Sequence, residues 1–412
     1  MRIAILGNSV FYLISTVFLS DVILGASKNP KRISPNIILI LADDLGYGDV
    51  DWHDRNLYTP NLRNLAFSDH SVQLSNSYVG QLCTPTRAAL MTGLYPFHTG
   101  TQNGVFLQTE PSSVPLDYPF FPQYLRKSGY RTYMVGKWHL GYCRRDYLPT
   151  VRGGFDSFYG YYGPQTGYFN HSADLYDKND GVFMRVFVCE RNQPSHNGAP
   201  TKDTSQTLLP LFSQYTRLCR LQIYCSMLAA MDEAVGRVVD HLKQTGLYKD
   251  TVIIFSSDNG GDANFGASNA PLRGSKNTLW EGGTKTTTLV HYPRMIHQFA
   301  ERHDLFHVVD WRTQFVYNID TPTSAIRRYN YKLIYESPIP VISEGHGRTR
   351  LFDLSSDPLE QRDLSRQHPA LVRQLVDKLI TYQHHARKSV RNALDPRGNP
   401  ALLNGAYASY WC

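Results

Sequence analysis

The run from Asn36 to Ala42 (NIILILA) is apolar nearly throughout and then breaks into Asp43-Asp44-Leu45-Gly46-Tyr47-Gly48. A continuous isoleucine-rich stretch of this kind predicts a central strand followed by a loop. The pattern returns at Thr251 to Ser256 (TVIIFS), which ends in Ser257-Asp258-Asn259-Gly260-Gly261. Just upstream, Leu221 to Leu242 carries Tyr224, Leu228, Met231, Val235, Val238 and Leu242 at steps of three and four, and Gly246 closes it. That spacing predicts an amphipathic helix. Helix, buried strand and polar loop in this order predict an α/β fold. Gly129 to Val135 predicts a further short strand that runs into Gly136-Lys137-Trp138-His139-Leu140-Gly141. Ligands of open α/β sheets sit beyond the carboxyl ends of the strands, so these three ends, loaded with Asp, Asn, Lys and His, predict one shared site.

The C-terminal pattern differs. Ala325 to Tyr335 alternates like one half-buried strand, Leu351 to Leu354 resembles another, and Leu371, Leu375 and Leu379 with Val372, Val376 and Ile380 mark a final helix. The expected division is a catalytic domain over 35–324 and a small α+β domain over 325–412. At the other end, Arg2, the apolar stretch from Val10 to Leu19 and the small residues Gly25, Ala26 and Ser27 predict a signal peptide over 1–26. A membrane anchor competes with that reading, but the run is short and Asp21 follows it. The acceptor sequon Asn170-His171-Ser172 fits a secretory route, with a lysosomal or extracellular destination and no stable membrane anchor. With 412 residues, 42% hydrophobic and 19% charged, the chain can bury a large core. A net charge of +7 suits an anionic substrate, yet Lys and Arg are scattered and no nucleic-acid partner is expected. Six cysteines, Cys83, Cys143, Cys189, Cys219, Cys225 and Cys412, are few for a disulfide scaffold of this length.

Asp43, Asp44, Asp258 and Asn259 are hard oxygen ligands, and clustered carboxylates repel one another unless a cation joins them. They predict a calcium or magnesium site, although either pair alone also reads as turn residues. Cys83-Thr84-Pro85-Thr86-Arg87-Ala88-Ala89-Leu90-Met91-Thr92-Gly93 places Cys83 at a helix start, because Pro85 and good helix formers follow it. On residues alone Cys83 is an activated thiolate or a buried or disulfide-bonded cysteine.

Cys83-x-Pro85-x-Arg87 with the Ala-Ala-Leu-Met-Thr-Gly that follows resembles the signature of the type I sulfatases. Gly129-Tyr130-x-Thr132-x-x-x-Gly136-Lys137-Trp138-His139-Leu140-Gly141 resembles their second motif. Pro271-Leu272-Arg273-Gly274-Ser275-Lys276 before Leu279-Trp280-Glu281-Gly282-Gly283 is similar to the arylsulfatase B subgroup, as are Met231-Asp232-Glu233-Ala234-Val235-Gly236 and Phe352-Asp353-Leu354 with Asp357-Pro358. The resemblance runs in blocks from Pro35 to His368. It implies an alkaline-phosphatase-like α/β/α sandwich with a large mixed sheet and a small C-terminal α+β domain. It implies hydrolysis of sulfate esters, on sulfated glycans of the N-acetylgalactosamine 4-sulfate kind. Cys83 would be oxidised to formylglycine by the formylglycine-generating enzyme, and calcium held by Asp43, Asp44, Asp258, Asn259 and the modified Cys83. Arg87 and Lys137 would stabilise the nucleophilic alkoxide, His139 would act as base, and Lys276 would bind a sulfate oxygen.

Two stretches depart from the family pattern. The family's further active-site histidine has no clear counterpart, and His196 in Pro194-Ser195-His196-Asn197 is the candidate for substrate contact. After Trp311 the helix and long insertion expected of relatives are missing. These gaps motivate a rival reading, a catalytically impaired sulfatase-like glycan-binding protein or truncated isoform. Phosphatases and phosphodiesterases of the same superfamily are the rival enzymes, but they use Ser or Thr where Cys83 stands.

Overall fold

The computed structural model describes residues 34–164, 176–177, 222–309, 313–320, 322–337, 347–402 and 409–412. The elements that build the site come early. β1 spans Asn36–Ala42, α1 Pro60–Ala66, β2 Ser71–Tyr78, α2 Cys83–Thr92, α3 Pro96–Thr99, α4 Phe121–Lys127, β3 Tyr133–Lys137, β4 Ser157–Tyr161 and β5 Tyr176–Asp177. The long helix α5 (Gln222–Gln244) leads into β6 (Thr251–Ser257). The short α6 (Glu281–Thr284), β7 (Lys285–His291), β8 (Ala300–Arg302) and β9 (Phe306–His307) follow.

These strands form a mixed sheet in the order β1-β6-β7-β2-β8, with β9 also on β2. β1 and β6 run parallel, with Ala42 opposite Ser257, whereas β7 is antiparallel to both β6 and β2. Side chains alternate across β6, so both faces need cover. Val252 and Ile254 join Val72, Val290 and the wholly buried α2 on one side. Ile253 and Phe255 face the other way, onto Leu62 and Leu65 of α1 and Leu228, Val235, Val238 and Leu242 of α5. The apolar stripe read from the sequence is therefore the face α5 buries.

β3 starts later than its sequence pattern suggested and carries Lys137 as its last residue. It belongs to a separate sheet, β3-β4-β5, in which Lys137 lies opposite Tyr161. The three strand ends thus come from two sheets.

The C-terminal region is a four-stranded antiparallel sheet, β10 (Gln314–Ile319), β11 (Thr323–Arg328), β12 (Tyr331–Glu336) and β13 (Arg348–Asp353), packed by α7 (Pro369–His384). The single strand expected over Ala325 to Tyr335 is a hairpin. Tyr329 takes a left-handed backbone (φ 53°) and turns the chain between β11 and β12, a break that alternating apolarity does not reveal. Leu375, Val376 and Leu379 of α7 cover one face of this sheet, and its other face meets Tyr78 and Leu279 of the larger part. No helix among the described residues is long and apolar enough to cross a membrane.

Candidate active site

Asp43 and Asp44 step off β1 at the level where Asp258 and Asn259 step off β6. The Asp258 N–H donates to the Ala42 carbonyl (3.0 Å) and the Asp44 N–H to Asp258 Oδ1 (3.2 Å). Asp44 turns with φ 61°, which sets its carboxylate facing Asn259, whose Nδ2 donates to Asp44 Oδ1 at 2.7 Å. Behind them, Gly260 packs so closely on α6 that a methyl group there would overlap the Gly282 carbonyl oxygen.

Cys83 is the first residue of α2, after Leu82 at the N-cap, and is 2% exposed. Its Sγ lies 3.7 Å from Asp43 Oδ1 and 3.9 Å from Asp44 Oδ1. It is the free cysteine among the described residues, while Cys143 pairs with Cys412 and Cys225 is disulfide-bonded. Burial first, and then the Asp258 carboxylate, push its thiol well above the ordinary range. The positive end of α2 therefore does not make Cys83 a thiolate here, because burial, and after it three carboxylates, outweigh it.

Four cationic or basic side chains surround this cluster. Lys137 Nζ sits 2.8 and 3.0 Å from the two oxygens of Asp43. Arg87 donates Nε and Nη2 to Asp258 Oδ2 (2.9 and 2.8 Å) and Nη1 to the Lys137 carbonyl (2.9 Å). Lys276 Nζ reaches Asp44 Oδ2 at 2.5 Å and keeps 20% of its side chain open to solvent. His139 is 2% exposed, with a left-handed backbone (φ 60°), and its Nε2 lies 2.9 Å from the Phe106 carbonyl. A carbonyl only accepts, so Nε2 carries the proton and Nδ1 is left as the lone pair. Nδ1 is buried without a partner. Burial, and then Lys137, hold the imidazole far below its usual pKa, so it is neutral.

The same charges set the carboxylates apart. Burial would raise Asp43, but Lys137 and Arg87 hold it far below the usual range. Asp258 goes the other way, pushed up to about 7 by burial and then by Asp43, against Arg87 and Lys137. Ligand atoms of Asp43, Asp44, Cys83 and Asp258 all lie within 4.8 Å of one another, and the buried Asn259 Oδ1 has no hydrogen-bond partner. Hard oxygen donors around an orphaned carbonyl, with one acid pushed toward protonation by burial and a neighbouring carboxylate, fit a divalent cation. The acidic group can hold a metal ion.

The structure thus brings together every candidate named from the sequence except His196, which lies outside the described residues. Sequence reading missed Tyr161, which faces Lys137 across the β3–β4 pair, and Thr84 and Phe106, which hold His139. The aromatic-rich stretch from Phe155 to Tyr162 was the available signal for β4.

A sequence profile described as Sulfatase matches residues 35–215 and 190–316. Arylsulfatase J of Mus musculus is 31% identical over 485 residues, covering 92% of this chain and 80% of that protein. N-acetylgalactosamine-6-sulfatase of Mus musculus is 28% identical over 67% of this chain, which spans 61% of that relative's length. Among solved structures, Ps i-CgsB in complex with k-i-k-neocarrahexaose superposes with a TM-score of 0.72 at 24% identity, covering 86% of this chain and 94% of the other.

Proposed function

The chain belongs to the sulfatase family, the hydrolases of sulfuric esters, with their alkaline-phosphatase-like α/β fold; from that premise we propose that it cleaves sulfate esters of sugars with Cys83, as formylglycine, at a calcium site. The observation that carries the reading is the position of Cys83. It begins a wholly buried helix beside three carboxylates, with Lys137, Arg87 and Lys276 already paired to those acids.

Asp43, Asp44, Asp258, Asn259 and the modified Cys83 would hold calcium, which when bound draws charge from the sulfate oxygens and favours the alkoxide. Formylglycine at position 83 would, as its hydrate, supply two hydroxyls, one as the nucleophile toward sulfur and one whose proton must be taken up for sulfate to leave and the aldehyde to return. Lys137 and Arg87 are fixed by Asp43 and Asp258 and stabilise negative oxygen at position 83. Lys276, tied to Asp44 but partly open, meets a sulfate oxygen. His139 is neutral with its Nδ1 lone pair unused, so it accepts the second hydroxyl's proton. Maturation by the formylglycine-generating enzyme, a secretory route and a lysosomal or extracellular site of action belong to the same reading. The division at residues 324 and 325 belongs to it too, with one joint to note: β10 already pairs into the C-terminal sheet.

The substrate class is a sulfated glycan. Relatives named for N-acetylgalactosamine 6-sulfate and a structural neighbour solved with a neocarrahexaose support sulfated sugars, and the arylsulfatase B-like motifs favour a 4-sulfate. The test uses protein co-expressed with the maturation enzyme. Mass spectrometry of the Cys83 peptide is expected to show an aldehyde in place of the thiol. A phenyl sulfate is expected to turn over with calcium, faster than the matching phosphate, and Cys83→Ala to abolish it. Preference for phosphate, or an unmodified thiol in folded protein, overturns the reading. Folded, modified protein that binds sulfated glycan without turnover favours the binding-only alternative.

A further inference from the structure

The contact that orients His139 is held by residues far along the chain. Phe106, whose carbonyl takes the Nε2 proton, donates its own N–H to Thr84 Oγ1 at 3.2 Å, and Thr84 is the neighbour of Cys83. The next residue, Leu107, donates its N–H to Glu110 Oε2 at 3.1 Å. Glu110 has a fully buried side chain, and its main partner comes from the C-terminal tail: Arg391 places Nε 3.1 and 3.2 Å from Oε1 and Oε2, and Nη2 2.8 Å from Oε2. Ser112 Oγ and the Asn392 N–H also donate to Oε1, at 2.7 and 3.2 Å. Burial alone would raise the Glu110 pKa, but Arg391 and Ser112 hold it below its ordinary value, so the pair is ionic.

The tail is laid along the same loop by main-chain bonds. Arg387 N–H donates to the Phe97 carbonyl, Val390 to Gly100 and Asp395 to Thr109, at 2.8, 2.9 and 2.8 Å. It ends at Cys412, disulfide-bonded to Cys143 on the segment that follows His139, and the Trp411 N–H donates to the Cys143 carbonyl at 3.1 Å. The tail is therefore anchored on both sides of the His139–Phe106 contact, to the loop that accepts the proton and to the segment that carries the ring.

We propose that the C-terminal tail is a positioning strap for His139, acting through the Arg391–Glu110 pair and the Phe106 carbonyl to fix which ring nitrogen carries the proton. The inference rests on His139 being the base of the reaction proposed above. A carbonyl held at Nε2 selects the tautomer with the proton on that nitrogen and leaves Nδ1 as the acceptor. When the loop relaxes, the selection goes with it. Arg391 and Glu110 touch neither Cys83 nor the acidic cluster among their contacts, so they act through His139 and are positioning residues.

The test compares Arg391→Ala, Glu110→Gln and the milder Arg391→Lys in matured full-length protein. With an aryl sulfate, steady-state kcat is expected to fall about 10- to 100-fold and KM to fall with it, leaving kcat/KM within about twofold, after a burst of phenol from the spared first step. Arg391→Lys is expected to fall between parent and Arg391→Ala, and aldehyde content and calcium binding to be unchanged. Nitrogen-15 NMR of histidine-labelled protein, with the His139 signal assigned by its loss in His139→Gln, is expected to show Nε2–H in the parent and a mixture in the variants. An unchanged tautomer in folded Arg391→Ala overturns the proposal. Loss of calcium binding or aldehyde in step with kcat also overturns it, because the tail would then be a general support. Should Arg391→Ala fail to fold, Glu110→Gln and Arg391→Lys carry the same readouts. Absence of sulfatase turnover in the parent defeats the functional reading alone, and the NMR comparison still decides the strap.

Discussion

Arg87 and Lys276 both pair with the acidic cluster, yet their surroundings assign them different work. Arg87 is 7% exposed and spreads its guanidinium over three groups, Asp258, the Lys137 carbonyl and, at 3.5 Å, Asp43. A lysine ammonium cannot span all three, so Arg87→Lys leaves a buried acceptor unmet, at a cost of roughly 2–4 kcal/mol. Thermal unfolding is expected to register that loss, and calcium titration a weaker site. Lys276 reaches Asp44 from a partly open position, where an ion pair stabilises by no more than about 1 kcal/mol. Lys276→Ala is expected to melt close to the parent while raising KM for an aryl sulfate by about tenfold, the mark of lost substrate binding. Equal effects of the two substitutions in both assays would remove the distinction.

At the level of elements, the two loops that carry the acids are locked to each other. A methyl group at Gly46 would overlap the Ser268 carbonyl oxygen, and the Gly48 N–H donates to that same oxygen at 2.9 Å. Asp49 closes the lock. Its Oδ2 accepts the Gly46 N–H (2.8 Å) and the hydroxyl of Tyr224 on α5 (2.5 Å), and its Oδ1 accepts the Ser268 N–H (2.9 Å). Three donors converge on one buried carboxylate, which no amide can replace. Asp49→Asn is expected to cost about 1–3 kcal/mol by urea unfolding, because one donor then faces an NH2 group. Calcium affinity is expected to drop by at least about tenfold, since the spacing between Asp44 and Asp258 relaxes. Tyr224→Phe removes one of the three bonds and is expected to show a smaller loss in both assays. Calcium binding in Asp49→Asn as tight as in the parent would uncouple the lock from the acidic loops.

Over the whole molecule, the two large pieces meet through a buried polar joint. Lys332 Nζ of the C-terminal sheet lies 2.9 Å from both Glu281 Oε1 and Glu360 Oε1, and the hydroxyl of Tyr78 on β2 donates to Glu281 Oε2 at 2.7 Å. Beside it His307, on β9, stacks on Tyr95 and Phe315, with its Nε2 buried and unpartnered. Burial pushes His307 down to about 3 from 6.5. The unfolded chain binds that proton from 6.5 downward and the fold does not, so stability is lost as pH falls through 6.5 toward 3. By about pH 5 the loss is about 2 kcal/mol, and His291, down to about 4, adds a similar amount. Asp49 opposes them: burial raises it to about 6 from 3.8, so the stability it supplies is full below 3.8 and disappears as pH rises through 6. At about pH 5 it returns about 1.4 kcal/mol, less than the histidines remove. His307→Phe is therefore expected to narrow the stability difference between pH 7 and pH 5 by about 2 kcal/mol, read from denaturant unfolding at both pH values. An unchanged difference would mean that His307 is protonated within the fold.

The sequence by itself determined which residues gather at the candidate site and most of the elements that carry them. Buried strands ending in acids, the helix begun by Cys83, the stripe of α5 and the motif lysines and histidine are all local patterns, and local patterns follow from the periodicity of strand and helix. It also determined the family, since motif residues keep their spacing whatever the packing does between them. Tertiary structure alone decided the rest. That β3 joins a second sheet, that Ala325 to Tyr335 turns back at Tyr329, and that Phe106, Glu110 and Arg391 converge behind His139 depend on contacts that range from a few positions apart in the β11–β12 hairpin, through 24 between β3 and β4, to 281 between Glu110 and Arg391. So does the protonation pattern of the cluster. Asp43 and Asp258 are the same residue type at the same kind of strand end, yet Lys137 and Arg87 hold the first far down while burial and then the Asp43 charge push the second up to about 7. Charge interactions inside a protein act through distance and burial, and neither is written in the order of the residues.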